Sequence, residues 1–256
     1  MSVRWLTSLP PTSRPRVFVD ADVLASPQAR TIPYLARPLA DYELMYSPMV
    51  EEEAMRHQKP GQVPIRELRA RFDWLLVPDP DQADMDRLVD THPKDKHVLA
   101  AAIAGHCWFV MTGNVRHYGF ADHAASGISA VHPGLFLSHR LSGEAYREVV
   151  AALGSARSRP PREPISIHEQ EIAWHIPALF DRYRNLFGAP HPDPRITPPH
   201  LQFRGPRCLA CGQLTTDQPG TDGLCRRCHH LTGLTPGAGI DRDRGVGSGV
   251  LRYSSS

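Results

Sequence analysis

Short apolar runs that stop on carboxylates constrain this chain more than any other feature. Val17–Asp20, with Asp22 two residues on, is β-branched and aromatic, too short for a helix, and reads as a buried strand that breaks where charge begins. Ser47-Pro48 is a helix start, Ser as cap and Pro at the first helical position, and Glu51, Glu52 and Glu53 follow where the helix dipole favours negative charge. Asp95 opens a further helix in which Val98, Leu99, Ala102 and Ile103 fall at helical spacing and which Gly105 closes. Cys107–Met111 then reads as a second buried strand. Short apolar strands alternating with helices predict an α/β fold around a parallel sheet.

The 256 residues suffice for one ordinary domain and something smaller, and 41% hydrophobic with 22% charged residues predicts a globular body. A formal net charge of +2 neither demands nor excludes a nucleic-acid partner, because a basic patch can be local while an acidic site offsets it. No apolar stretch approaches the ~20 residues that cross a bilayer, so no membrane association is expected. Met1–Pro15 lacks the continuous apolar core and cleavage pattern of a secretory signal, and the cytoplasm is the expected compartment. Cys107, next to Trp108 and Phe109, reads as a small buried hydrophobe.

Beyond Asn114 the chain offers Val131–Leu137 and then two helical stretches, Ser142–Leu153 and one opened by Ser166-Ile167-His168-Glu169 as a capping box. In the second, Ile172, Ile176, Leu179, Phe180, Tyr183 and Phe187 make one buried face, with Pro177 as a kink. The expected organisation is a sheet domain over residues 14–140, a helical extension over 141–188, a proline-rich linker over 189–206, a cysteine module over 207–231 and a disordered Gly/Ser/Arg-rich tail over 232–256.

The module rests on Cys208-Leu209-Ala210-Cys211 and Cys225-Arg226-Arg227-Cys228, two C-x-x-C knuckles that suit a tetrahedral Cys₄ zinc ribbon. Gly212 and Gly223 supply freedom for tight turns. Two disulfides are the rival, disfavoured in the cytoplasm; a Cys₃His set using His229 or His230 is another. A segment this small has almost no apolar core, so one structural Zn²⁺ is expected to fold it, with the linker isolating it from the larger domain. Arg204, Arg207, Arg226 and Arg227 flank it as candidate phosphate contacts; a zinc-stapled protein-docking surface is the equal alternative.

Carboxylates gathered where parallel strands end suit hydrolysis of a phosphodiester. Such a reaction needs an activated water and a stabilised leaving oxygen, both of which Mg²⁺ or Mn²⁺ supplies, and hard cations take oxygen ligands. Asp20 ends one strand, Asn114 follows another, Asp95 lies at a helix start and Glu53 comes from a helix that can pack across the gap. Singly, each has a plainer reading: a turn residue for Asp20, a helix cap for Asp95, a solvated face for Glu51–Glu53, surface or packing roles for His97 and His117. Their joint order carries the argument.

Val17–Leu24, Ser47–Glu53 and Asp90–Ala102 leading into Trp108–Asn114 together resemble the PIN-domain endoribonucleases, in particular the VapC-like branch of toxin–antitoxin systems, over roughly Arg16–Phe187. The resemblance implies a PIN-like α/β fold. It implies Asp20, Glu53 and Asp95 as catalytic ligands of Mg²⁺ or Mn²⁺, and Asn114 at the fourth catalytic position. Glu53 is preferred to Glu52 because the family's glutamate falls six residues after the Ser of the S-P start. It further implies an RNA substrate, an antitoxin subunit that covers the acidic crevice, and a homodimer. One departure stands out. Where this branch commonly reads Thr-x-Asn-x-x-Asp-Phe, this chain has Thr112-Gly113-Asn114-Val115-Arg116-His117-Tyr118, and losing that carboxylate is expected to weaken a second metal. The rivals are a ribosomal-RNA maturation nuclease of the PIN plus zinc-ribbon type, a non-catalytic RNA- or protein-binding scaffold with a degenerate site, and a DNA-binding regulator acting through the ribbon.

Overall fold

A computed structural model of the chain describes residues 14–67, 74–157, 162–187, 202–215 and 223–228. The expected tail and most of the expected linker lie outside these residues, as do His229 and His230. Among the described residues a six-stranded sheet has the order β3-β2-β1-β4-β5-β6. Its strands are β1 (Arg16–Val19), β2 (Glu43–Tyr46), β3 (Leu75–Leu76), β4 (Phe109–Met111), β5 (Ser129–Val131) and β6 (Phe203–Arg204). The first five are parallel and β6 joins antiparallel to β5. Every residue of β1, β4 and β5 is buried, the pattern of a parallel sheet covered on both faces.

The parallel strands are linked through helices. After β1 come α1 (Ala21–Ala25) and α2 (Pro27–Ala40), and after β2 comes α3 (Pro48–His57). Between β3 and β4 lie α4 (Gln82–Asp86) and α5 (Lys96–Ala104), and α6 (Phe120–Ser126) leads into β5. Ser47 caps α3 through Val50 N–H with Pro48 in the first turn, as the sequence predicts. Gly105 ends α5, where an added Cβ would lie 2.9 Å from Val77. The buried part of α5 runs continuously from Val98 to Ala102, whereas Ile103, expected in the core, is 40% exposed. A short alanine-rich helix is enclosed nearly all round, so its burial does not follow a single stripe.

Helix α7 (Pro133–Arg140) follows β5, and the helical extension comprises α8 (Gly143–Arg157), α9 (Pro164–Ile167), a wide π turn (His168–Ile172), α10 (Ala173–His175) and α11 (Pro177–Tyr183). Ser166 does not cap a helix. Helix α9 begins earlier, at Pro164, and the Ser166 hydroxyl accepts from Arg162 instead. Pro177 separates α10 from α11, because a proline lacks the N–H that would continue the ladder. The predicted face holds: Ile172, Ile176, Leu179, Phe180 and Tyr183 are buried, and Phe187 packs at its edge.

The last residues of the stretch read as linker are structured. Phe203–Arg204 adds a strand to the sheet, with Val131 opposite Phe203 and His132 N–H donating to Gln202. The cysteine module is therefore seated on the sheet domain. Leu209 belongs to the main core. Arg207 stacks 4.9 Å from the Trp108 ring centre and donates to the Gly127 and Gly212 carbonyls. Arg204 donates to the Tyr118 carbonyl. The guanidinium groups of Arg204 and Arg207, expected to face phosphate, instead hold the module in place; Arg226 and Arg227 are exposed.

Candidate active site

Parallel pairing of β1 and β4 sets Val19 opposite Met111, so the residues that leave these strands, Asp20 and Thr112–Asn114, emerge side by side at their carboxyl ends. The Asp20 N–H donates to Met111 O, continuing the ladder by one residue. The Asp20 side chain is 5% exposed. Its Oδ1 accepts from Ala21 N–H at 2.6 Å and its Oδ2 from the Tyr118 hydroxyl at 2.9 Å, with Thr112 as a further donor. Burial raises the Asp20 pKa, these donors oppose the rise, and the charge of Asp95 adds to it. Asp22 opens to solvent at the mouth of the cleft. Its pKa is also raised, by desolvation from the surrounding protein and by the charges of Asp20 and Asp95; at so open a position the repulsion is the cause that counts.

Asn114 and Gly113 belong to the same constellation. Asp22 Oδ2 accepts from Gly113 N–H at 2.9 Å and from Asn114 Nδ2 at 3.1 Å. Asp95 begins α5 yet makes no capping hydrogen bond with its side chain, so the plain reading of it as a helix cap does not describe it. Its Oδ2 instead faces His92 Nδ1 at 3.3 Å and His117 Nδ1 at 3.2 Å.

The glutamates separate by face. Glu51 is buried and pairs with Arg66 at 3.4 Å, Glu52 is exposed, and Glu53 reaches His97 Nε2 at 3.2 Å. His97 lies two residues after Asp95, so Glu53 is tied to the helix that carries Asp95 rather than directly to Asp20. The structure thus brings Asp20, Asp22, Asp95 and Asn114 into one cluster and links Glu53 to it through an imidazole.

Three further residues of this region carry weaker signals in the sequence. Tyr118 orients Asp20 from the position where the compared pattern has Phe, and only its hydroxyl betrays the role. His92 has no motif of its own. Asp122 looks like an ordinary acidic residue in the first turn of α6, but its carboxylate accepts the N–H groups of Val89, Asp90 and Thr91 at 2.9, 3.0 and 2.7 Å. Burial works to raise its pKa, and these donors with the Thr91 hydroxyl outweigh burial and leave it lowered. Asp122 thereby fixes the loop that delivers His92 and Asp95. Gly119 lets that loop approach, since a Cβ there would lie 2.3 Å from the Asp90 side chain.

Asp20 and Asp22, whose pKa values burial and the charge of Asp95 both raise, offer with Asp95 the oxygen donors that a hard divalent cation takes. In the module, the sulfurs of Cys208, Cys211, Cys225 and Cys228 all lie within 4.8 Å of one another, with Cys211 and Cys225 3.9 Å apart. Thiolates at the usual Zn–S length of about 2.3 Å in a tetrahedron sit roughly 3.8 Å apart, so this cluster fits zinc. Gly212 (φ +73°) and Gly223 (φ +75°) take left-handed turns beside the two knuckles, as expected.

Comparison with known proteins finds a similar ribonuclease. Over 113 residues, 43% of this chain, the sequence is 32% identical to the putative ribonuclease VapC50 of Mycobacterium tuberculosis, and the chain spans 65% of that curated relative's length. The likeness is to a VapC-type, PIN-domain ribonuclease. No family model matches the chain, and no solved structure matches it. The cysteine module rests on its own geometry. Among the described residues no helix is long and apolar enough to cross a membrane.

Proposed function

We propose that this chain is a divalent-metal-dependent endoribonuclease of the PIN type, acting as the toxin of a VapBC-like pair and held inactive by an antitoxin partner. The observation that carries the proposal is the convergence of Asp20, Asp22 and Asp95 at the carboxyl ends of β1 and β4, around an Asp20 fixed by Tyr118, Thr112 and Ala21 N–H. Asp20, Asp95 and Asp22 would hold the ion, with Glu53 reinforcing the Asp95 side through His97. A bound divalent ion supplies an activated water and charge for the leaving oxygen.

The chain's own groups then have separable tasks. Tyr118 and Thr112 hold the Asp20 carboxylate in one orientation, so no reorganisation is needed when substrate arrives. Asn114 and Gly113 do the same for Asp22. Lys94 and Arg116, exposed on the two loops that carry His92 and His117, are placed to receive RNA phosphates. A metal-titrated cleavage assay on single-stranded and structured RNA tests the proposal: activity that EDTA leaves untouched, or that survives Asp20→Asn, would sink it. His117 in place of the usual carboxylate favours one other reading, a scaffold that binds RNA without cutting it. Binding with no cleavage at any Mg²⁺ or Mn²⁺ concentration would establish that reading.

A further inference from the structure

His92, Asp95 and His117 form a cluster that the acidic site does not account for. Two imidazoles from different loops turn the same atom, Nδ1, onto the same oxygen, Asp95 Oδ2, at 3.3 and 3.2 Å, and their ring centres are 5.1 Å apart. Backbone contacts set this convergence. His92 N–H donates to the His117 carbonyl at 2.7 Å, joining the two loops directly, and Asp122 clamps the three residues before His92. Two histidines placed this way lose little freedom on taking a common ligand.

His92 Nδ1 lies 3.3 Å from both the Lys94 N–H and Asp95 Oδ2, and it accepts from Lys94 in the tautomer that carries its proton on Nε2. The Nδ1 lone pair then faces a carboxylate oxygen, an arrangement that is repulsive without positive charge between them. Donors bound to one ion at about 2.1 Å and at right angles lie roughly 3.0 Å apart, close to both observed separations. The missing side-chain cap on α5 agrees: Asp95 is turned toward the imidazoles and away from the helix N–H groups.

We propose that His92, Asp95 and His117 bind a divalent cation with two nitrogen ligands, next to the ion held by Asp20 and Asp22, and that the pair of imidazoles makes the protein select a first-row transition ion over Mg²⁺. Imidazole is a good ligand for such ions, whereas Mg²⁺ takes oxygen almost exclusively and sheds water reluctantly. Asp95 is common to both clusters, so the assignment rests on the nuclease reading for its catalytic role, though not for binding. Replacing the usual carboxylate by His117 then changes which metal the second position takes.

Mn²⁺ is the probe, added to the full chain with zinc already saturating the cysteine module. Pulsed electron paramagnetic resonance reads ¹⁴N coupling from coordinated imidazole, and equilibrium titration gives Mn²⁺ and Mg²⁺ affinities. Wild type is expected to show ¹⁴N coupling that disappears in the His92→Ala/His117→Ala double variant. Each single variant should lose on the order of tenfold in Mn²⁺ affinity. His117→Asp, which restores an oxygen donor, should lower the preference for Mn²⁺ over Mg²⁺ at least tenfold while circular dichroism stays unchanged. Bound Mn²⁺ without nitrogen coupling, or with coupling that survives the double variant, overturns this assignment and leaves the acidic site standing. No bound Mn²⁺ at all overturns both.

Discussion

The carboxylate of Asp122 gives the sharpest test of how the site is held, because it acts on the loop before His92 without belonging to any metal-ligating cluster. It is 4% exposed and accepts three backbone N–H groups. In Asp122→Ala the N–H groups of Val89 and Asp90, both on exposed residues, can turn to water at a cost of about 1 kcal/mol each, while the buried Thr91 N–H is stranded at about 2 kcal/mol. The expected loss is therefore about 3–4 kcal/mol, or roughly 10 °C in melting temperature for a domain of this size. Asp122→Asn separates the contributions: an amide oxygen at the Oδ2 position still serves Asp90 and Thr91, and its NH₂ opposes Val89, so about 1–2 kcal/mol should be lost. Urea unfolding at neutral pH measures both. The lowered pKa fixes the direction of the pH effect. Stabilisation from Asp122 is fully present above the unfolded carboxylate value of 3.8 and is lost as pH falls through the lower folded value, so the gap between wild type and Asp122→Asn should close on acidification. A loss under about 1 kcal/mol in Asp122→Ala, or a gap that widens in acid, would refute the clamp.

Asp20→Asn and Asp95→Asn should each lower RNA cleavage by orders of magnitude, with Asp90→Asn far milder because the Asp90 carboxylate accepts from the α6 backbone at Ala121; equal rates for all three would count against the site. Zinc removal, or Cys→Ser at Cys208, should lower the melting temperature of the sheet domain, since Phe203, Arg207 and Leu209 couple the module to it. Gly212→Ala should do the same with zinc bound, because its Cβ would lie 2.3 Å from Trp108; an unchanged domain transition in both experiments would mean the module is thermodynamically separate. His168, fully buried among Tyr146, Phe180 and Phe187, has its pKa lowered from 6.5 to about 4 by burial. The unfolded chain therefore takes up a proton below pH 6.5 that the folded chain refuses, and stability falls as pH drops from 6.5 toward 4. His168→Phe should make that decline shallower by up to about 1.4 kcal/mol per pH unit, and identical slopes would show that His168 does not titrate this way.

Local signals were enough to expose the buried strands around Val17–Val19 and Phe109–Met111, the Ser47 cap and the paired cysteine knuckles, because each depends on residues adjacent in the chain. Helix α2 escaped notice because Pro33 and Pro38 lie inside it, and a lone sequence reads internal prolines as breaks; in the fold, the Tyr42 hydroxyl takes up the Pro33 carbonyl. Phe203–Arg204 looked like linker because two residues carry no period, and only the open edge of β5 makes them a strand. The order of Asp20, Asp95 and Asn114 was enough to propose a metal-binding chemistry, since ligand types are written in the sequence. Which oxygen faces which partner was decided by contacts far apart in the chain: Tyr118 on Asp20, Asn114 on Asp22, and His92 with His117 on Asp95. Residue type sets what a group can bind, while parallel pairing of β1 with β4 and the Asp122 clamp determine what it meets.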